Sequence, residues 1–435
     1  MKKKCIPVIG ILGKFSLVFS RVTRMGGYAL ALLLFCAHPG YGSGNRLITQ
    51  SSAGTALAGA CIAQLNGPDA SYWNPANMVD LAEADHSLEA SLHYTHIPAH
   101  EYQDNRSTLY SGASEVLDAL RPALFYSSVD FQGWRWGLSL VSPFGLSKEW
   151  NDPFPATFAR EYSLQTMELN PSFAYAVNKI VSVGGGLRLV YGEAEVENAG
   201  MLPIQTGVVS MSRSMEGDAT GLGYNLALSV KPLDRLRLGL TYRSKVELEL
   251  EGDADLRAST GSGSSSYTGP GTVEYPLPAV LALGIAYTIE QTTVELSWDR
   301  TYWSEYESLD FQYPQGLNDP LLSMLFDAPI AKNWEDSNAY RLGVTHILSN
   351  SVTLMAGIAY DETPAPDATL LFEMPDSDMF LYSLGGKWRV TDSTTLAVAY
   401  LYTDKDDREV SNTYLNGEFS NSQAHIVSVG VVYSF

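Results

Sequence analysis

The sequence predicts an all-β transmembrane protein: a 14-stranded antiparallel outer-membrane β-barrel with an N-terminal hatch inside its lumen. Apolar and polar residues alternate in one segment after another from residue 86 onward, as in strands that face hydrocarbon on one side and an enclosed interior on the other. Short and long connections alternate along the chain, which a soluble sandwich would not require. The last strand ends in Tyr433 and Phe435 on its apolar face and resembles the assembly signal of outer-membrane barrels.

Residues 1–42 are predicted to be a secretory signal peptide. Six basic residues precede an apolar run at 28–37, and residues 40–42 offer a small-x-small cleavage site. The run is shorter than the roughly 20 apolar residues that a spanning helix needs. Cleavage would change the formal net charge from −20 to −26, which argues against nucleic-acid partners. Cys61 would be the only remaining cysteine, so we expect no internal disulfide.

Residues 43–85 precede the first strand, do not alternate, and are rich in small side chains. A barrel of 14 strands leaves an aqueous hole unless something fills it. We therefore predict that this segment is a hatch, with Asn74, Pro75 and Ala76 as its central motif. A disordered periplasmic extension is the alternative, and Trp73 and Met78 argue against it.

The barrel itself is predicted to occupy residues 86–435. A Lys or Arg facing lipid at mid-bilayer costs about 2–4 kcal/mol, so the cations on the polar faces, such as Arg188, are expected to face the lumen. Tight turns are expected near residues 131, 178, 233, 290, 349 and 392. Long polar loops are expected at roughly 98–118, 147–162, 196–218, 252–272, 313–335, 362–377 and 404–421.

One long loop contains a helix signal. Asp319 suits an N-cap, Pro320 suits the first turn, and an apolar run follows. We expect a short helix that either offers an apolar ligand surface at the barrel mouth or simply packs against other loops. The side chains concerned are Leu321, Leu322, Met324, Leu325 and Phe326.

Several short motifs, in a fixed order from about residue 43 to 435, resemble the FadL/TodX family of outer-membrane transporters of long-chain fatty acids and aromatic hydrocarbons. Each motif is weak alone, whereas their order and spacing along the whole mature chain are specific. The motifs are 51–56, 69–70, 74–76, 144–146, 149–152, 241–244, 297–298, 303–304, 339–341, 361–366 and 375–376.

The resemblance implies a monomeric 14-stranded barrel whose ligand is caught by extracellular loops, passes to the lumen beside the hatch and leaves sideways through a gap in the wall. The gap is implied at a kink in the third strand. Here Ser142, Pro143, Phe144 and Gly145 interrupt that strand, and Pro and Gly both weaken strand pairing. The alternative is a strand that ends at Pro143.

The resemblance also implies passive uptake of a fatty acid or a hydrocarbon into the bacterial outer membrane, with outer-membrane lipid, lipopolysaccharide and the barrel-assembly machinery as partners. Arg188, Arg243 or Arg341 would suit a ligand carboxylate, although pairing with lumen acids is the stronger expectation for any single arginine.

The sequence predicts neither catalysis nor a cofactor or metal. It has no Gly-x-Ser-x-Gly elbow and no His-Glu-x-x-His pair. His93, His96 and His100 cluster at the end of the first strand, where a solvated loop edge is favoured over a metal site. The alternative function is a general diffusion porin or a structural, adhesin-like barrel; the predicted hatch and the interrupted strand favour transport of a hydrophobic substrate.

Overall fold

A computed structural model describes residues 44–81, 86–204 and 207–435; the predicted signal peptide lies outside these ranges. Fourteen antiparallel strands form a closed wall, because the last strand pairs with the first from Ser87↔Ser434 to His96↔His425. The predicted 14-stranded barrel is confirmed. The wall strands are β1 Ser87–Ile97, β2 Leu117–Ser127, β3 Trp134–Val141 with Gly145–Glu149, β4 Glu161–Ala176, β5 Val181–Ile204, β6 Gly207–Leu233, β7 Leu236–Arg243 with Val246–Thr260, β8 Gly263–Leu277 with Val280–Ile289, β9 Thr292–Thr301, β10 Ser337–Ile347, β11 Val352–Asp361, β12 Met379–Arg389, β13 Thr394–Lys405 and β14 Gln423–Ser434.

Side chains alternate between the two faces of this wall as predicted. In β14, Val429 is 50% exposed on the outer face, whereas Ser428 beside it is fully buried on the inner face. Arg135 and Arg188 are buried on the inner side, although their neighbours Trp136 and Leu187 are exposed. The apolar outer face therefore suits hydrocarbon and the inner face holds the charges. Among the described helices, none is long and apolar enough to cross a bilayer.

All six predicted tight turns lie at one end of the barrel, the turn end. Two of the seven predicted long loops are wrong, because β5 pairs with β6 out to Ile204↔Gly207, and β7 pairs with β8 out to Thr260↔Gly263. The composition there is polar, but alternate side chains such as Val196 and Leu256 still pack inward and sustain the strands.

The remaining long connections carry short elements at the opposite, long-loop end. The helices are Pro153–Ala159 and Pro320–Phe326, with 3₁₀ turns at Thr108–Tyr110, Trp303–Glu305 and Asp367–Thr369. The short strands are Glu101–Asp104, Gly112–Ala113, Ser308–Leu309, Phe311–Gln312, Ile330–Ala331, Arg408–Ser411 and Asn416–Ser420.

Residues 44–81, the plug segment, pack against the inner faces of the wall strands. They contain helices Ser52–Ala56 and Ala70–Trp73 and a 3₁₀ turn Pro75–Asp80, and nearly all of their side chains are buried. Hydrogen bonds tie them to the wall, including Ser52 Oγ to Ser428 Oγ (2.8 Å) and Ser383 Oγ to the Ala56 carbonyl (2.8 Å).

Glycines in the wall let the plug segment approach this closely. A Cβ at Gly239 would lie 2.3 Å from the Ile62 carbonyl oxygen, and one at Gly357 would lie 2.3 Å from the Leu57 carbonyl carbon. Eight wall strands carry such a glycine, at which a Cβ would come under 3.0 Å from a plug atom: Gly137, Gly184, Gly239, Gly284, Gly343, Gly357, Gly385 and Gly430. These glycines form a partial ring around the plug segment. At each of them the wall has no side chain, so the plug backbone and side chains approach the strand closely.

Candidate functional site

An apolar cluster fills the long-loop end of the barrel. Side chains from the upper parts of β3 to β8 meet side chains of the long loops, so that large aromatics such as Trp150 and Trp303 are fully buried. The rings contact one another edge to face, for example Trp150 on Phe372 with centroids 5.0 Å apart. The loops therefore form a second apolar core, distinct from the apolar cluster that the plug segment forms with the wall.

A cavity of about 40 Å³ lies within this cluster, lined mostly by apolar side chains. It holds a few water molecules at most, so a larger ligand enters only if the side chains move. Lys332 and Glu373 form a buried ion pair in its wall. Burial, followed by the neighbouring Tyr275, raises the pKa of the Tyr306 hydroxyl well above its ordinary value, so this group stays neutral.

The predicted helix forms over Pro320–Phe326 and packs in the same apolar cluster. Asp319 caps it by accepting from the backbone N–H groups of Leu321 (2.8 Å) and Leu322 (3.2 Å), as the sequence predicts. Leu322 and Phe326 are buried in the cluster, whereas Met324 is 57% exposed. Leu321 and Leu325 are half-buried against it. The five predicted side chains therefore do not act as one surface, because the helix turns two of them inward.

The wall is interrupted where the sequence places a Pro and a Gly in β3. The strand stops at Val141 and resumes at Gly145, so it does not end at Pro143. Only four residues of β2 pair with β3, from Leu124↔Leu140 to Ser127↔Gly137. Within the described chain, residues 117–123 of β2 have a strand partner on the β1 side alone. A hydrogen bond from Glu115 N to the Glu149 carbonyl (2.8 Å) bounds this gap at its upper end.

The first residues of the plug segment lie across the gap on its inner side. Leu47 N donates to the Pro143 carbonyl (2.9 Å), and Gly145 N donates to the Asn45 carbonyl (2.8 Å). On the other edge, Arg121 of β2 donates to Thr49 Oγ1 (2.6 Å). Residues 45–50, the bridging stretch, thus contact both edges of the gap.

Asn74, Pro75 and Ala76 are buried at the centre of the plug segment. Asn74 Nδ2 donates to the Ile62 carbonyl (2.7 Å), while Asn74 Oδ1 accepts from Ala76 N (3.1 Å). Pro75 begins the 3₁₀ turn that Asn74 caps. The motif joins two distant parts of the plug.

Glu295 of β9 holds the same part of the plug from the wall side. Its carboxylate accepts from three successive backbone N–H groups, those of Ile62 (2.6 Å), Ala63 (2.7 Å) and Gln64 (3.0 Å). Charge-assisted bonds of this kind are stronger than neutral ones. Sequence reasoning missed Glu295, because its partners are more than 200 residues away.

The arginines proposed for a ligand carboxylate are paired with wall acids. Arg341 contacts Asp299 (2.8 Å) and Asp361 (3.2 Å). Arg243 contacts Glu168, which also accepts from Arg188 Nε (2.8 Å). Arg341 and Arg243 also donate to plug carbonyls, those of Ala58 and Tyr72. These cations connect plug and wall, and their charges are neutralised.

The gap in the wall had a second signal that sequence reasoning missed. Pro122 lies in the part of β2 that has a partner on one side, and Pro is tolerated in a sheet only where a ladder bond is dispensable. Lys332 was also missed, because its loop gives no periodic signal. Among the described residues, no group of three or more His, Cys, Asp or Glu side chains is placed to hold a metal ion.

The sequence pattern of one family, described as "Outer membrane protein transport protein (OMPP1/FadL/TodX)", matches residues 37–435. The chain belongs to this family. Outer membrane protein P1 of Haemophilus influenzae is 26% identical over 368 residues, which cover 75% of this chain and 77% of that protein. The long-chain fatty acid transport protein of Escherichia coli K12 is 26% identical over 336 residues, covering 67% and 73%.

Solved structures of the family share the fold. A Pseudomonas aeruginosa FadL homologue superposes with a TM-score of 0.78 at 19% identity, covering 90% of this chain and 99% of that one. The toluene transporter TodX of Pseudomonas putida gives a TM-score of 0.67 at 20% identity, covering 88% and 97%. Family membership and the closed barrel place the chain in the bacterial outer membrane, as predicted. Its long-loop end is taken as extracellular, as in other outer-membrane barrels.

Proposed function

We propose that the protein mediates passive uptake of hydrophobic compounds, long-chain fatty acids or aromatic hydrocarbons, with lateral release into the outer membrane. The observation that carries this proposal is the gap between β2 and β3, which the bridging stretch crosses on the inner side. Names of relatives agree: one is a long-chain fatty acid transport protein and another a toluene transporter.

Capture is assigned to the apolar loop cluster. A ligand taken from water gains about 0.8 kcal/mol for each CH₂ group that it buries. The exposed Met324 on the loop helix and the half-buried Leu321 and Leu325 offer the first contacts, and the small cavity in the same cluster opens as side chains move. The loop end therefore acts as the receiving surface.

Lateral release is assigned to the wall gap. Residues 117–123 of β2 leave an edge without a partner toward β3, so no ladder needs to break for a tail to pass there. The bridging stretch is held across it by only a few hydrogen bonds and acts as its gate. Once in the bilayer the tail loses no apolar contact, so transport needs no energy source.

The plug segment is assigned the role of the hatch, with 43–85 as its full extent. We expect the protein to act as a monomer, and the pairing of its own first and last strands supports this. A lumen blocked by buried side chains and two ion networks argues against free diffusion of polar solutes. Neither catalysis nor a cofactor enters this proposal.

A cross-link across the gate tests lateral release. Arg46 and Phe144 form an isolated antiparallel bridge flanked by the hydrogen bonds of Leu47 and Gly145, which makes them a close, non-hydrogen-bonded pair suited to a disulfide. In Arg46→Cys/Phe144→Cys, oxidation should abolish uptake of a fluorescent fatty acid into proteoliposomes, and reductant should restore it.

The two single variants, Arg46→Cys and Phe144→Cys, serve as controls. Each loses one of the two side chains but cannot form the cross-link. Uptake that continues unchanged in the oxidised double variant would refute lateral release. A wild-type barrel that leaks entrapped sucrose freely and ignores lipids would instead indicate a general diffusion porin.

A further inference from the structure

The three histidines near the end of β1 do not lie together. His93 is buried against the plug segment, where its Nε2 lies 3.2 Å from the Gln50 carbonyl oxygen, and His100 is buried among the long loops beside Phe419. His96 lies on the opposite face of β1, the face that meets the membrane, and 38% of its side-chain surface is accessible. Only His96 is therefore open to a ligand from outside the barrel.

Strand pairing gives His96 a different histidine as its neighbour. His425 lies directly opposite it in β14, in the outward row that continues through Val427 and Val429. The two imidazole rings have their centroids 6.2 Å apart and their planes 30° from parallel. Directly opposite residues of an antiparallel pair have Cβ atoms about 4.5–5.5 Å apart, so both rings can reach one small ligand.

A neighbouring side chain holds each ring by its Nδ1. Asp118 Oδ1 of β2 lies 2.9 Å from Nδ1 of His96, and the Tyr400 hydroxyl of β13 lies 2.8 Å from Nδ1 of His425. An ionised carboxylate only accepts, so His96 Nδ1 donates, and Nε2 of the neutral ring carries the lone pair. The Tyr400 hydroxyl can accept in the same way. Across the described ranges neither Nε2 has a hydrogen-bond partner.

Two imidazoles oriented in this way suit a transition-metal ion. Imidazole nitrogen is a preferred ligand of Zn²⁺, Cu²⁺ and Ni²⁺, and a metal-binding histidine usually donates its other N–H to a carboxylate or a similar acceptor. Two Zn–N bonds of about 2.1 Å span at most about 4 Å, so the rings must tilt toward each other to share one ion. Because residues 44–81, 86–204 and 207–435 place no third His, Cys, Asp or Glu to complete the site, water would take the remaining positions.

We propose that His96 and His425 bind one divalent transition-metal ion on the outer face of the barrel, and that this ion clips β1 to β14. These are the first and last strands of the wall, so the ion joins the seam at its long-loop end. Tyr94 and Tyr402 flank the site, as expected for the aromatic girdle at the membrane–water interface. Asp118 and Tyr400 are positioning residues. An ion that binds only the folded barrel stabilises it.

Calorimetric titration of Zn²⁺ into the untagged full mature protein in detergent, in mildly alkaline buffer, tests the site. The wild type should bind one ion per barrel, and His96→Ala and His425→Ala should each lose binding. His346→Ala is the matched control. His346 is another outward wall histidine held by its Nδ1, at 2.9 Å from Thr292 Oγ1, but the residues opposite it are Thr292 and Leu354. This control should bind like the wild type.

Two further variants test the positioning role of Asp118. Asp118→Asn should weaken Zn²⁺ binding about tenfold, the lower end of the loss typical for such a partner. Tyr94→Phe removes only the hydroxyl that donates to Asp118 Oδ1 (2.6 Å) and keeps the carboxylate, so it should bind like the wild type. Electron paramagnetic resonance of bound Cu²⁺ should show two nitrogen ligands in the wild type and at most one after loss of either histidine.

Heat-modifiable mobility on gels tests the clip and, without metal, verifies that every variant is folded. Zn²⁺ should raise the temperature at which the wild type loses its folded mobility and should leave His96→Ala unshifted. A wild type that binds no Zn²⁺, or binding that survives the loss of either histidine, would overturn the site. Bound Zn²⁺ that produces no shift in the wild type would overturn the clip.

Discussion

His86 and Phe435 close the barrel at its turn end: each backbone N–H donates to the other's carbonyl at 2.9 Å, and the two rings stack with centroids 5.4 Å apart. The pair continues the β1–β14 seam by one residue beyond Ser87↔Ser434. Phe435 is 58% exposed and also stacks on Tyr433, so it faces the membrane while joining the chain end to its beginning.

Deletion of Phe435 is therefore expected to impair barrel assembly, because it removes both seam hydrogen bonds and an aromatic pair worth about 0.5–1.5 kcal/mol. The assembly machinery would also lose the terminal aromatic that we predict it reads. Surface abundance and the heat-modifiable folded fraction measure the effect. Phe380→Ala, which trims an outward aromatic on β12 that is 40% exposed, is the control and should assemble normally. Normal surface levels after the deletion would contradict the prediction.

Glu295→Gln is expected to loosen the plug without unfolding the wall. The amide retains one acceptor oxygen but turns an NH₂ group toward backbone N–H donors, so at least one bond to the Ile62–Gln64 turn is lost. Hydrogen bonds to a charged group contribute about 1.5–3 kcal/mol. Faster hydrogen exchange at residues 62–64 and higher conductance in planar bilayers are the expected results.

Glu249→Gln provides the comparison, since Glu249 is an exposed carboxylate on β7. Its conductance should match that of the wild type. If Glu295→Gln showed the same conductance and the same exchange protection at residues 62–64 as the wild type, Glu295 would not be what retains the plug.

Gly357→Val tests the close approach between wall and plug. Its Cβ would lie 2.3 Å from the Leu57 carbonyl carbon, so either the plug or β11 must shift. Because β11 is paired on both sides, we expect the plug to move and ion leakage to rise while the barrel stays folded. Gly386→Val, where a Cβ meets only atoms of β11, is the matched control. If ion leakage through Gly357→Val matched that of the wild type, the plug would have accommodated the larger side chain without moving out of its position.

Asn74→Ala should alter uptake while leaving the barrel intact. It leaves the buried Ala76 N–H without its side-chain partner, at a cost of about 1–3 kcal/mol. It also leaves the Ile62 carbonyl with the longer bond from Asn77 Nδ2 (3.2 Å) in place of two. Fatty-acid uptake into proteoliposomes is the measurement. Asn105→Ala removes an exposed loop amide and should transport like the wild type. Unchanged transport in Asn74→Ala would count against the hatch assignment.

Features set by residues close in sequence were predicted well. Alternation with period 2 gave the strands and their inner and outer faces, because each side chain's face depends only on its place along its own strand. The loop helix followed from Asp319 and Pro320, which act on the next few residues. The outer parts of β5 to β8 were predicted as loops because their composition is polar. Their apolar residues alternate with polar ones, and only the structure shows that these apolar side chains pack into the buried loop cluster.

The sequence by itself determined a barrel of 14 strands, its membrane and its interrupted third strand. Hydrocarbon on one side of the wall requires alternating apolar residues within each strand, so the strands can be counted from the sequence. Tertiary structure alone decided which charges are neutralised: Arg341 and Arg243 have carboxylate partners, and Glu295 holds three plug N–H groups. Such pairings join residues up to hundreds of positions apart, and nothing in the neighbouring sequence encodes the partner that folding brings into contact.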